Sequence, residues 1–223
     1  MFDERHFNAL DRGGIPTLVL EGPRGRRYPK GTYCPLKEMD LSGSLDGPLA
    51  SLVLRQVFRG PDPEKTVEAI YRFPLPGDAA VKSVTVTFGE VRIETALARR
   101  EAARRDYREA VKRGRQAALL EEEDPGIFTL RIAGLKGGED VTVETGFLLW
   151  LRPRRGTCEL RVPLTLAPRY TRGDEGEEAL RRQPLGVAWD PGYRFSLGLE
   201  CRGLGAPEGV THPLEPESLG EGY

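Results

Sequence analysis

Apolar and polar residues alternate with a period of two along most of this chain, as in strands that turn one face to a core. Leu49 to Phe58 sets Leu52, Leu54 and Phe58 on one face and Val53 and Val57 on the other. Thr66 to Phe73 groups Val67, Ala69, Tyr71 and Phe73, and Val81 to Phe88 groups Val84, Val86 and Phe88. Phe128, Leu130 and Ile132 alternate within Ile127 to Ile132. Within Val141 to Leu151, Val141, Val143, Phe147 and Leu149 alternate with Thr145 among them. Further strands are predicted at Leu36 to Leu45, interrupted by Gly43, and at Val91 to Glu94, Gln116 to Glu122, Thr157 to Leu164 and Tyr193 to Cys201. Ile15 to Leu20 reads as a short edge strand with Pro16 near its start. Turn signals at Pro61-Asp62-Pro63, Gly89-Glu90, Asp124-Pro125-Gly126 and Gly134 to Asp140 separate these runs at the spacing of a sandwich.

One segment breaks the alternation. From Thr95 to Gly114 the period is 3.6, and Ala96, Ala103, Tyr107, Ala110 and Val111 fall in one apolar arc roughly 100° wide. Arg104, Arg105, Arg108 and Lys112 point the other way. Thr95 can cap the first turn through its hydroxyl. Gly114 stands where a left-handed residue ends a helix. Glu101 with Arg105 and Glu109 with Arg113 have the favoured i,i+4 order. Tyr107 is expected to anchor the helix, its ring buried against the strand of Phe128. The predicted fold is mainly β: an antiparallel β-sandwich with one long amphipathic helix at about 95–113. Residues 1–33 read as an N-terminal extension, 34–202 as the sandwich domain and 203–223 as a linker-like tail. Thr171 to Pro184 has almost no apolar content and reads as a mobile loop.

The same segment carries a resemblance. Ala103, Tyr107, Ala110 and Gly114, followed by Ala117-Ala118-Leu119-Leu120 and Phe128, resemble the signature of the vault/inter-alpha-trypsin, or VIT, domain. Upstream, Tyr71-Arg72-Phe73-Pro74-Leu75-Pro76 is similar to the family's strand end, and Gly138, Val141 and Val143 to its last hairpin. The resemblance covers roughly 36–170, and several spaced motifs in order make it specific. The chain departs from the family where Arg59-Gly60 replaces an Asn after the second strand, and where Phe147 replaces a Tyr. The resemblance implies a non-catalytic interaction or scaffolding module of the kind found N-terminal to von Willebrand A domains. Such modules occur in inter-alpha-trypsin inhibitor heavy chains, the vault poly(ADP-ribose) polymerase and many bacterial proteins. The implied partner is an A domain in cis or another protein.

Charge and composition narrow the alternatives. The 223 residues carry 33 basic and 34 acidic side chains, a net charge of −1, so no global field steers the chain to nucleic acid or a membrane. The 27 Gly and 18 Pro suit short strands and turns. No stretch has the pattern of a signal peptide or a transmembrane helix, and the expected compartment is the cytoplasm. Cys34, Cys158 and Cys201 are odd in number and far apart, so no disulfide framework is expected.

Candidate chemistry is sparse. Asp40-Leu41-Ser42-Gly43-Ser44 matches the Asp-x-Ser-x-Ser motif that binds Mg²⁺ in A domains. Its flanks lack the buried strand and following helix of such a site, so Asp40, Ser42 and Ser44 are read as a strand with polar residues on its open face. The cysteines with His6 and His212 show no paired zinc spacing. There is no nucleophile elbow and no phosphate loop. Glu121-Glu122-Glu123-Asp124 enters a tight turn and reads as solvated. No catalytic residue, cofactor or metal is therefore expected. A hydrolase using the acidic turn remains the competing class, and a polyanion binder the third. Arg104, Arg105, Arg108 and Lys112 are the candidate partner-binding residues.

Overall fold

The computed structural model describes residues 17–21, 33–60, 67–96, 98–164, 192–218, 220 and 222–223. His6 and the loop expected from Thr171 to Pro184 lie outside the described residues. The elements are β1 (Thr17–Glu21), β2 (Tyr33–Asp46), β3 (Leu49–Phe58), β4 (Val67–Pro74), β5 (Ala80–Phe88), β6 (Val91–Glu94), α1 (Arg100–Lys112), β7 (Ala117–Asp124), β8 (Ile127–Leu135), β9 (Val141–Trp150) and β10 (Arg194–Arg202).

Hydrogen bonding runs without a break through the order β6-β5-β9-β3-β2-β1-β4-β8-β7, with β10 added to β2. Every pairing is antiparallel except that of β10 with β2. The 14-residue β2 makes this continuity possible. Its start, Tyr33 to Pro35, pairs with β1, while Leu36 onward pairs with β3 and Glu38 onward with β10. A register shift between Leu36 and Glu38 marks the change of partner. At the far ends, β6 comes near β7, and α1 lies against β7. The sheet thus curls until it nearly closes around its core.

The inward positions are those the alternation predicts. Val67, Ala69, Tyr71 and Phe73 are all buried, as are Val84, Val86 and Phe88, and Val141, Val143, Phe147 and Leu149. Phe58, Tyr71, Phe73 and Phe128 form an aromatic row across the core, with centroid separations of 4.8, 5.0 and 5.8 Å. Gln56, also buried, donates to the Tyr71 hydroxyl at 2.5 Å. The polar pair therefore fixes the row from the β3 side.

Several local expectations fail for physical reasons. The helix begins at Arg100, not at Thr95, and its N-cap is Arg99 with no side-chain cap. The Thr95 hydroxyl instead donates to the Val84 carbonyl at 3.1 Å, extending the β5–β6 pairing by one residue. Ala96 is exposed outside the helix. No residue of α1 is buried. Tyr107 is only half-buried, in a helix that lies against β7, so it is not the core anchor expected. The C-terminus matches its prediction: Gly114 has φ +67°, Gly114 N–H donates to Val111 and Arg115 N–H to Ala110, a Schellman ending.

β1 sits between β2 and β4 rather than at an edge, with Leu18 wholly enclosed. From Thr157 to Leu164 no strand forms, although Cys158, Leu160, Val162 and Leu164 are alternately half-buried on the core. Alternation there records one buried side, not a pairing partner. After β10 the chain returns, and Gly222–Tyr223 pairs with Cys201–Arg202. Gly60, the departure after β3, is explained by the neighbouring turn: a Cβ there would collide with the Glu139 backbone.

Candidate interaction surfaces

The helix stripe is partly committed within the fold. Glu121, on β7 with only 10% of its side chain exposed, accepts from Arg104 Nε at 2.6 Å and lies 3.4 Å from Arg100 Nε. Arg100 also donates to the Glu122 carbonyl at 2.6 Å. Arg105 sits 3.7 Å from Asp106 on the open side. Arg108 and Lys112 are exposed and make no ion pair with any described residue. The acidic turn is similarly occupied: Glu122 accepts from Gly126 N–H, and Glu123 pairs with Arg72 at 3.0 Å.

Asp40, Ser42 and Ser44 lie on one outward row of β2, as their spacing requires. Asp40 pairs with Arg55 at 3.0 Å and accepts from the Ser196 hydroxyl of β10. The Ser196 hydrogen bond, then Arg55, holds the Asp40 carboxyl below its usual range, against some desolvation. Gly43 has φ +149° and lies so close to β3 that a Cβ would strike the Ser51 carbonyl. Its place in the motif is therefore set by strand packing. Among the described residues, no three His, Cys, Asp or Glu side chains gather as metal ligands. His212 is exposed and tilts against Phe195 at 5.7 Å. The three cysteines are free, and burial, with Asp140 adding, pushes the Cys34 thiol up to about 12, so it is inert at neutral pH.

The outer face of β3 and β9 is different in kind. Leu49 faces Trp150 across the ladder, Ser51 faces Leu148, and Val53 faces Gly146. Leu49, Val53 and Trp150 are 40%, 39% and 59% exposed, and Leu148 is half-buried. Ser42 continues the Val53 row on one side and Ser83 the Gly146 row on the other. The result is an apolar shelf, bordered by the charged row of Asp40, Arg55 and Glu144. The helix-centred reading of the sequence missed it. The signal was present: if Phe147 and Leu149 point inward, Leu148 and Trp150 must point outward.

Beyond Trp150 the chain makes a basic hairpin. Arg154 and Thr157 exchange backbone hydrogen bonds of 2.9 and 3.0 Å around Arg155 and Gly156, whose φ values are 52° and 80°. This is a two-residue turn of type I′ sign. Between it and the Pro76–Asp78 turn lies an open cleft of about 540 Å³, lined by Trp150, Arg152, Arg154 and Arg161 with Asp78 and Glu159.

Among known proteins, the model of the vault protein inter-alpha-trypsin domain matches residues 36–147. Human von Willebrand factor A domain-containing protein 5A is 31% identical over 164 residues, which is 70% of this chain and 21% of that protein. The mouse protein of the same name is 29% identical over 139 residues, 61% of this chain and 17% of its own length. Mouse protein mono-ADP-ribosyltransferase PARP4 is 27% identical over 134 residues, 60% of this chain but 7% of that protein. The chain thus spans less than a quarter of each of these relatives.

Proposed function

Because the chain belongs to the vault protein inter-alpha-trypsin domain family, we propose that it is a non-catalytic module that acts by protein contact, with a von Willebrand A domain as its partner. The observation that carries this reading is the exposed shelf of Leu49, Val53, Leu148 and Trp150 on the β3–β9 face. A row of outward apolar side chains over small residues suits the dry centre of an interface, and Asp40, Arg55 and Glu144 suit its rim. Arg108 and Lys112 of the helix stripe are a second rim, whereas Arg104 is engaged by Glu121. The names of the relatives from mouse and human point to the A domain as partner. In this reading the two halves of the curled sheet are a sandwich, and Asp40, Ser42 and Ser44 serve β2 rather than Mg²⁺. Three free cysteines support residence in a reducing cytoplasm. Among the described residues no helix is long and apolar enough to cross a membrane.

Neither competing class gains support. Glu121, Glu122 and Glu123 of the acidic turn are engaged by Arg72, Arg100, Arg104 and a backbone N–H. The helix stripe is laced with acids. The test is calorimetric titration of this chain with a separately expressed A domain from the same genome. One-to-one binding is expected, weakened about tenfold or more by Val53→Asp, which sets a charge in the dry centre. No binding by the unaltered chain, or binding indifferent to Val53→Asp, overturns the reading.

A further inference from the structure

We infer that the cleft between the Pro76–Asp78 turn and the Arg154–Thr157 hairpin binds an acidic, extended peptide segment of a partner protein. This goes beyond contact with a folded domain on the sheet face, because the concave site shares only Trp150 with that face and differs from it in chemistry.

The charge arrangement carries the argument. The cleft is lined by Arg152, Arg154 and Arg161 against Asp78 and Glu159. Arg161 is paired with Glu159 at 3.1 Å on its own segment. Arg152 and Arg154 make no side-chain ion pair or hydrogen bond with any described residue. Two guanidinium groups, whose ten donor positions are unengaged by described residues, therefore flank one concavity. Planar guanidinium forks match carboxylates, which accept two parallel hydrogen bonds.

Trp150 supplies the apolar half of the site. At 59% exposure it is the one aromatic among the exposed large hydrophobic described residues, and it lines the same cleft. Its backbone is held on one side, because Trp150 pairs with Leu49 of β3 and Leu151 N–H is fixed to the Pro48 carbonyl at 2.7 Å. Its indole offers a broad surface to an apolar side chain. The cleft volume of about 540 Å³ admits one short extended segment.

The hairpin adds an independent observation. Arg155 has φ +52° and is the only non-glycine described residue with positive φ. Asn or Asp is the relaxed choice at that turn position. The strained position instead carries another positive charge beside Arg154. Strain held at a charged surface turn points to use of that charge.

A continuous polyanion fits less well. Asp78 and Glu159 stand on the same lining and repel an unbroken row of phosphates. A peptide with separated carboxylates can meet Arg152 and Arg154, lay an apolar side chain on Trp150, and pass clear of the acids.

The test is fluorescence polarisation of the full chain with a labelled peptide of alternating Glu and Leu, at low ionic strength. A Lys-for-Glu peptide and a short single-stranded DNA serve as comparison probes. Saturable binding of the acidic peptide is expected, weakened at least about tenfold by R152E/R154E and severalfold by Trp150→Ala. Binding should be unchanged in Arg108→Glu, on the helix, and in Val53→Asp, which reports the sheet-face contact separately. Far-UV circular dichroism checks that each variant folds, with R152Q/R154Q as the milder replacement. No saturation at millimolar peptide overturns the inference. So does equal binding of the Lys peptide, or full binding by the folded Arg variants. Displacement of the peptide by lower concentrations of DNA would make the cleft a polyanion site and overturn it as well.

Discussion

Replacing Tyr71 by Phe removes one oxygen from the centre of the core and leaves every ring contact in place. Tyr71 is wholly enclosed, packs edge-on to Phe58 at 4.8 Å and stacks on Phe73 at 5.0 Å. Apolar burial is therefore unchanged, and the loss is confined to the 2.5 Å hydrogen bond from Gln56 Nε2. Gln56 is 1% exposed, and its Oε1 already lacks a partner among the described residues. After Tyr71→Phe its amide nitrogen is unpaired as well, at a cost of about 1–3 kcal/mol for a stranded buried polar group. Gln56→Leu should cost a similar amount by stranding the Tyr71 hydroxyl. The double variant Q56L/Y71F removes both partners and should recover most of the loss, because two apolar groups of similar shape need no pairing. Urea unfolding of the four proteins, with equal m values, measures the cycle. If the double variant loses the sum of the single losses, the two groups act independently, and the reasoning about their mutual satisfaction is refuted.

Three further outcomes follow from local geometry. Tyr107→Ala should destabilise by about 1–2 kcal/mol, below the ~3–5 of a buried aromatic, because Tyr107 is only half-buried; a loss at the core value in thermal melts would mean the helix docks more deeply than described. Asp140 is hydrogen-bonded by Lys37 and by Gly60 N–H, which hold its carboxyl below the usual range. With a depressed folded pKa, its contribution is present above the unfolded value of about 3.9 and is lost as pH falls through the folded one. Discounted for exposure to about 0.5–1 kcal/mol, the stability gap between native protein and Asp140→Asn should therefore close in unfolding measured below about pH 4. Arg155→Asn should raise stability by roughly 0.5–1 kcal/mol in the same unfolding assay, since Asn accepts the left-handed turn position more readily; a loss would show that Arg155 is held by contacts rather than strained.

Periodicity made the inward faces legible because burial and alternation have the same cause. Tyr71, Phe73, Val141 and Phe147 face the core as the pattern requires. Pairing is a different matter. Cys158 to Leu164 alternates without a ladder, and β1 is interior although it reads as an edge, because alternation reports which side is buried but not which backbone lies beside it. At the helix, Gly114 announced the C-terminus through its left-handed φ. Thr95 misled because a hydroxyl that can cap a helix can equally bond a neighbouring strand, and Val84 was the neighbour. The sites were less legible still. Glu121 looked like one acid of a solvated turn, yet Arg100 and Arg104 converge on it to hold α1. The shelf at Leu49, Val53 and Trp150 needs the β3–β9 register before its residues become neighbours.

The proposed contact through the outer face of β3 and β9 can be read directly in solution. The most direct measurement is NMR of the isotopically labelled chain titrated with the unlabelled A domain, read residue by residue. Shifts are expected to concentrate at Leu49, Ser51, Val53, Gly146, Leu148 and Trp150, spreading to Asp40 and Arg55, with the core-facing Leu52 and Phe147 changing less. Perturbations confined to α1, or spectra that do not change while the A domain is in excess, would contradict the proposed contact.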